Sequence, residues 1–127
     1  MANPIGWVEI PVTDMDRAIQ FYNTVMGWNI QVSQFGEILM GWLPNDPENK
    51  GGSSGALLKN ENYVPSSING PLVYFSCANV QNWLDKVEGA GGTIIQGKKQ
   101  ISPEHGFMAL ITDTEGNRIA FHSNEKT

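Results

Sequence analysis

Three side chains pair acid–base chemistry with a strand setting: Glu9, Tyr74 and His122. Glu9 follows Trp7 by two residues in "WVEIPV", so an extended chain puts carboxylate and indole on one face. A carboxylate held beside an aromatic wall in a cleft is a candidate general base. Its plainer reading is a solvated acid on a half-exposed face. Tyr74 and Ser76 in "LVYFS" offer hydroxyls to a ligand, although Tyr on a sheet face is common in any case. Arg118 and His122 share one face of "RIAFHS"; the duller roles are an ion pair and a strand-end histidine. His105 in "SPEHGF" reads as a turn residue rather than a proton shuttle. Cys77 alternates to the opposite face from Tyr74 and Ser76, as a small core residue and not a nucleophile. The chain has no Ser-His-Asp order, no phosphate-cradling glycine loop and no C-x-x-C pair.

The elements that must position these groups come in two copies. In the first, Val8, Ile10 and Val12 form one strand face, opposite Trp7, Glu9 and Pro11. A helix is predicted over 14–26, with Met15, Ala18, Ile19, Tyr22, Val25 and Met26 as its apolar stripe. Thr13 or Asp14 is its cap, Asp16 completes a capping-box pattern with Thr13, and Gly27 is its stop. A shift of 65 residues returns the pattern as "LVYFSCANVQNWLDKVEGAGG", with Val73, Phe75 and Cys77 on the inner face. Asn79 then matches Asp14, Gly92 matches Gly27, and Val80, Trp83, Leu84 and Val87 make the second stripe. Three strand-like runs follow each helix, at 29–35, 37–43 and 56–59, then 93–96, 107–112 and 118–123. "DTEGN" turns the last pair, while "PNDPENKGGSSG" makes a long surface loop in the first copy. Pro11 inside a strand marks an edge.

The expected organisation is a single domain over 1–127. Module one covers about 7–59, a linker about 60–71 and module two about 72–123, before a frayed "NEKT" tail. The fold class is α+β, two β-α-β-β-β modules forming a half-barrel whose concave side holds a ligand. Thirteen acidic against eight basic residues give a net charge of −5, which disfavours nucleic acid and anionic membranes as partners. No apolar run approaches the ~20 residues of a membrane span. With one cysteine, no internal disulfide and no signal-peptide pattern at the start, the expected location is the cytoplasm.

The double layout, opened by "WVEIPVTDMDRAIQFYNTVMGW" and closed by "DTEGNRIAFHS", resembles the vicinal oxygen chelate superfamily. That superfamily contains glyoxalase I, bleomycin-resistance proteins, fosfomycin-resistance enzymes and extradiol dioxygenases. Within it the closest likeness is to the small proteins loosely labelled lactoylglutathione-lyase-related. The resemblance covers about residues 7–122 and implies a half-barrel fold. In enzymatic members it also implies a divalent metal held by His and Glu and chelated by two substrate oxygens. Carried over one at a time, the ligand positions fall on Trp7, Leu72 and Ala120, and near Leu57. None supplies a metal-binding lone pair, so no metal and no cofactor is expected.

Alternation places Trp7 and Glu9 in the cleft from module one, and Leu72, Tyr74 and Ser76 from module two. Arg118, Ala120 and His122 join from the last strand, and Met40, Trp42, Met108 and Leu110 are the inward set of the third strands. Trp7 either contacts a ligand or caps the open end of the core. The expected function is metal-free binding of a small, largely apolar or aromatic molecule, as in bleomycin-resistance-type sequestration. The alternatives are a glyoxalase-like isomerase or lyase using Glu9, Tyr74, His122 or an atypically bound metal, and an accessory subunit. A homodimer is expected, because the resemblance implies chains that pair and Pro11 marks an edge.

Overall fold

The computed structural model describes residues 4–45 and 54–125. Its elements run β1 (Trp7–Pro11), α1 (Met15–Met26), β2 (Gln31–Phe35), β3 (Ile38–Trp42), β4 (Ser54–Lys59), β5 (Val73–Ser76), α2 (Val80–Val87), β6 (Thr93–Ser102), β7 (Gly106–Thr112) and β8 (Arg118–Ser123). They build two four-stranded mixed sheets, ordered β1-β4-β3-β2 and β5-β8-β7-β6. In each sheet the outermost strand before the helix pairs in parallel with the last strand of its module, and the other pairs are antiparallel. Fold class and internal duplication thus match the sequence reading, and β1, which carries Pro11, lies at a sheet edge. Most of the loop expected after Leu43 lies outside the described residues. No helix among those described is long and apolar enough to cross a membrane.

Both helices start where a short polar side chain takes a backbone amide. Asp14 accepts from the Arg17 amide, and Asn79 accepts from the Gln81 amide. Asp14, not Thr13, is therefore the first cap; Thr13 is tied elsewhere. The two stops differ, against the expected register. Gly27 closes α1 in the left-handed conformation at φ 71, with its amide on the Asn23 carbonyl. In module two the helix ends at Val87, and the left-handed residue of the following turn is Gly91, at φ 101. Gly92 serves another purpose. A β-carbon there would stand 2.6 Å from the Phe21 ring and 2.7 Å from the Thr112 carbonyl oxygen, so the glycine lets α1 approach module two.

That approach explains a residue the helical stripe omitted. Phe21 is fully buried, because α1 packs on its own sheet with one side and on module two with another. Tyr22 stacks near Trp28 and meets Phe75 edge-on, while Trp83 meets Phe121 edge-on at 5.0 Å. Ile10, Val12, Leu57, Ile111, Ile119 and Phe121 join these in one core between the sheets' helix-side faces. The opposite faces remain for other work. Within the tail read as frayed, Glu125 is held: it pairs with Lys98 and accepts from the Ser123 hydroxyl at 2.9 Å.

Candidate functional site

Strand pairing sorts the outer face of the first sheet into rows. Glu9, Ala56 and Trp42 lie side by side, as do Pro11, Leu58 and Met40. Ala56 is small, so the Trp7 and Trp42 rings meet across it edge-on, 6.0 Å apart at 71°. Phe35 extends the file, 6.2 Å from Trp42. Hydrogen bonds fix both indoles: Trp42 Nε1 donates to Ser33 Oγ at 2.9 Å and Trp7 Nε1 donates to Glu9 Oε2 at 3.2 Å.

The "DTEGN" turn does more than reverse the chain. Asp113 Oδ1 accepts from the amides of Glu115 and Asn117, which fixes the turn. Asn117 Nδ2 then donates to the Pro11 carbonyl at 2.6 Å, tying β1 to module two. The Glu115 carboxylate takes the amides of Thr13 and Asp14, the Thr13 hydroxyl and the Arg17 guanidinium at 2.7–3.1 Å. Burial pushes its carboxyl up, yet the Arg17 bond and the two amides outweigh that and hold it at about 2. Asp113 goes the other way: burial raises it, against the bonds from Tyr22 and Asn117. Tyr22, fully buried and donating to Asp113 Oδ2 at 2.6 Å, is pushed well above the usual phenol range by burial and by that neighbouring charge.

Beside β1 lies a cavity of about 650 Å³, in the size range of small-molecule sites. Trp7, Glu9 and Pro11 line it from module one, and Leu72 and Arg118 line it from module two. Ile5, Val64, Ser66, Asn69 and Pro71 are also part of the wall. Most of these stand in the segment read from sequence as a linker. Arg118 N donates to the Ser66 carbonyl at 3.2 Å, which holds that segment against β8. Periodicity carries no signal for this, because the segment is neither strand nor helix. Trp7, Glu9, Leu72 and Arg118 are thus brought together.

The remaining candidates stand elsewhere on the sheet faces, outside this cavity wall. Met40 and Trp42 sit further across the first sheet. On the second, Tyr74 lies in a row with Ala120 and Leu110, and Ser76 in a row with His122 and Met108. Tyr74 is half exposed, and its ring contacts neither Trp7 nor Trp42. His122 Nε2 faces the His105 carbonyl at 2.7 Å, so that nitrogen donates and holds the loop. His105 itself bonds Ser102 Oγ through Nδ1 at 2.8 Å within its turn. Cys77 packs against the core, and burial raises its thiol.

The family's metal positions can now be judged by donor chemistry. Trp7 and Leu72 face the cavity, and Ala120 lies on the same face as Tyr74. Leu57 is a correction: it packs into the core under Gly41, and the outward positions of β4 are Ala56 and Leu58. An indole N–H, two leucines and two alanines offer no ligand atom. Among the described residues no three His, Cys, Asp or Glu side chains gather to hold a metal. The residues present do not fit the divalent ion.

The sequence profile of the Glyoxalase/Bleomycin resistance protein/Dioxygenase superfamily matches residues 4–121. A glyoxylase-like domain-containing protein of Didymella fabae is 28% identical over 118 residues, 91% of this chain and 90% of that protein. A glyoxylase/bleomycin resistance protein/dioxygenase domain from Frankia sp. EAN1pec superposes with a TM-score of 0.71 at 15% identity, over 98% of this chain and 100% of that one. A glyoxalase I mutant from Zea mays superposes with a TM-score of 0.70 at 18% identity, over 95% of this chain. This chain spans only 46% of the maize one.

Proposed function

The chain belongs to the Glyoxalase/Bleomycin resistance protein/Dioxygenase superfamily, and we propose that it is a member that binds a small, largely apolar or aromatic molecule without a metal. The observation that carries this reading is the edge-on Trp7–Trp42 pair beside the 650 Å³ cavity. Such rings offer an aromatic ligand wide, rigid contact at low entropic cost. Pro11, Leu72 and Val64 extend the apolar wall. Bleomycin-resistance-type sequestration needs no more chemistry than this.

Binding is read out by tryptophan emission. Trp28 and Trp83 pack against the core, so the ligand-sensitive emission belongs to Trp7 and Trp42. A screen of small aromatic acids, amides and drugs should find compounds that quench emission and raise thermal stability by mass action. Trp7→Phe should remove most of the quenching and leave the melting temperature of the free protein unchanged. An unaltered response in both Trp7→Phe and Trp42→Phe refutes the site. Glu9→Gln separates binding from catalysis. A binding protein keeps its affinity for uncharged hits, whereas an enzyme using Glu9 as base loses ~10²-fold or more in turnover.

Assembly is part of the same proposal. Trp7, Phe35 and Tyr74 are 44%, 56% and 50% exposed on the two outer sheet faces. Pairing of two copies over these faces would cover them, burying upwards of ~1,000 Å². Light scattering at micromolar concentration is expected to give twice the 14.0 kDa chain mass. A monomer mass overturns the homodimer and leaves the binding site standing.

A further inference from the structure

Of the chain's two arginines, one is committed to the fold and the other is not. Arg17 is locked to Glu115. Arg118 is half-buried in the cavity wall, and among the described residues its side chain makes no hydrogen bond and no ion pair. The nearest acid on the same wall, Glu9, accepts instead from the Trp7 indole and forms no ion pair with it. A half-buried guanidinium with no ion-pair partner among the described residues, on a protein of net charge −5, is available to answer the charge of a ligand.

Two further polar residues line the same cavity. Ser66 Oγ accepts the amides of Ile68 and Asn69, so its own O–H remains to donate, and its carbonyl is tied to the Arg118 amide. Asn69 also lines the cavity, with its side-chain amide unspent. Guanidinium, hydroxyl and amide N–H together give this cavity wall three kinds of hydrogen-bond donor, of which only the guanidinium is charged. We infer that the cavity takes a carboxylate-bearing molecule, with its acid group on Arg118 and its apolar body against Trp7 and Leu72. One guanidinium matches one negative charge in the planar, two-pronged way that carboxylates favour. A dianionic phosphate would find no second cation on this wall, where the other charged group is Glu9. The inference rests on the binding reading above and adds the chemical class of the ligand.

The test compares 1-naphthylacetate with 1-naphthylacetamide, which share shape and differ in charge, by calorimetry on the whole protein. The acid should bind ~10-fold or more tightly than the amide, and added salt should weaken the acid alone. Arg118→Gln should erase that preference by weakening the acid far more than the amide, and Arg118→Lys should keep part of it. Trp7→Phe, measured in parallel, should weaken both compounds alike. Equal affinity for acid and amide in the unaltered protein overturns the anion assignment and leaves the apolar cleft intact. So does a preference that survives in Arg118→Gln. Binding of neither compound removes the cleft reading as well. Because among the described residues only the Arg118 backbone is bonded, the Gln variant should melt with the parent; if it does not, the Lys variant and the salt series decide.

Discussion

Glu115→Ala is expected to lower stability by about 2–4 kcal/mol, or roughly 10 °C in melting temperature for a domain of this size. The side chain is fully buried and gathers five hydrogen bonds from Thr13, Asp14 and Arg17. Its loss leaves the Thr13 and Asp14 amides without their acceptor at the entrance to α1. Bonds from amides to a charged acceptor are worth about 1.5–3 kcal/mol each, and water entering the space left by the truncated side chain trims the sum. Arg17 is half exposed, so its separation from the carboxylate adds little. The effect has a pH signature. A carboxyl held below its unfolded value stabilises the fold fully above about 4.5, and that contribution is lost as pH falls through about 2. The stability gap between the parent and Glu115→Gln should therefore be constant from neutral pH down to about 4.5 and shrink towards about 2. Urea titrations across that range measure it, and a gap that grows on acidification would show the carboxylate to be neutral in the fold.

The second large effect comes from a residue with no side chain. Gly55→Ala should cost about 1–3 kcal/mol and abolish the ligand response of Trp7 even where the protein still folds. Gly55 pairs with Val8 in the parallel β1–β4 ladder. A β-carbon there would stand 2.4 Å from the Val8 carbonyl oxygen and 3.1 Å from Leu43 Cδ1. The clash is with backbone, so β1 must move, and Trp7 and Glu9 move with it. Position 97 is the control: a β-carbon at Gly97 meets nothing within 4 Å. Gly97→Ala should leave both melting temperature and Trp7 quenching unchanged. Intact quenching in Gly55→Ala would mean that the placement of β1 does not govern the site.

Some of this molecule is written in short-range chemistry. Alternation along six residues separates Trp7 and Glu9 from Val8 and Ile10, because a strand turns successive side chains to opposite faces. Asp14 and Asn79 declare the helix starts by capping amides two or three residues away, and Pro11 declares an edge because it has no N–H to donate. Causes this local repeat with the sequence, which is why the duplication was legible at 65 residues' offset. The tertiary structure alone decided the rest. Glu115 reads as one letter of a turn until the fold brings it to Thr13, 102 residues away. Phe21 is buried only because Gly92 lets module two come close. Leu57 itself turned to the core and left Ala56 and Leu58 outward, a choice of faces that the short apolar run of β4 does not settle locally. Ser66 and Asn69 reached the cavity through hydrogen bonds of an irregular segment, and Tyr74 stayed outside its wall, on the second sheet beside Ala120. Periodicity reports which side of an element a residue occupies; which sides then meet depends on packing between parts distant in the chain.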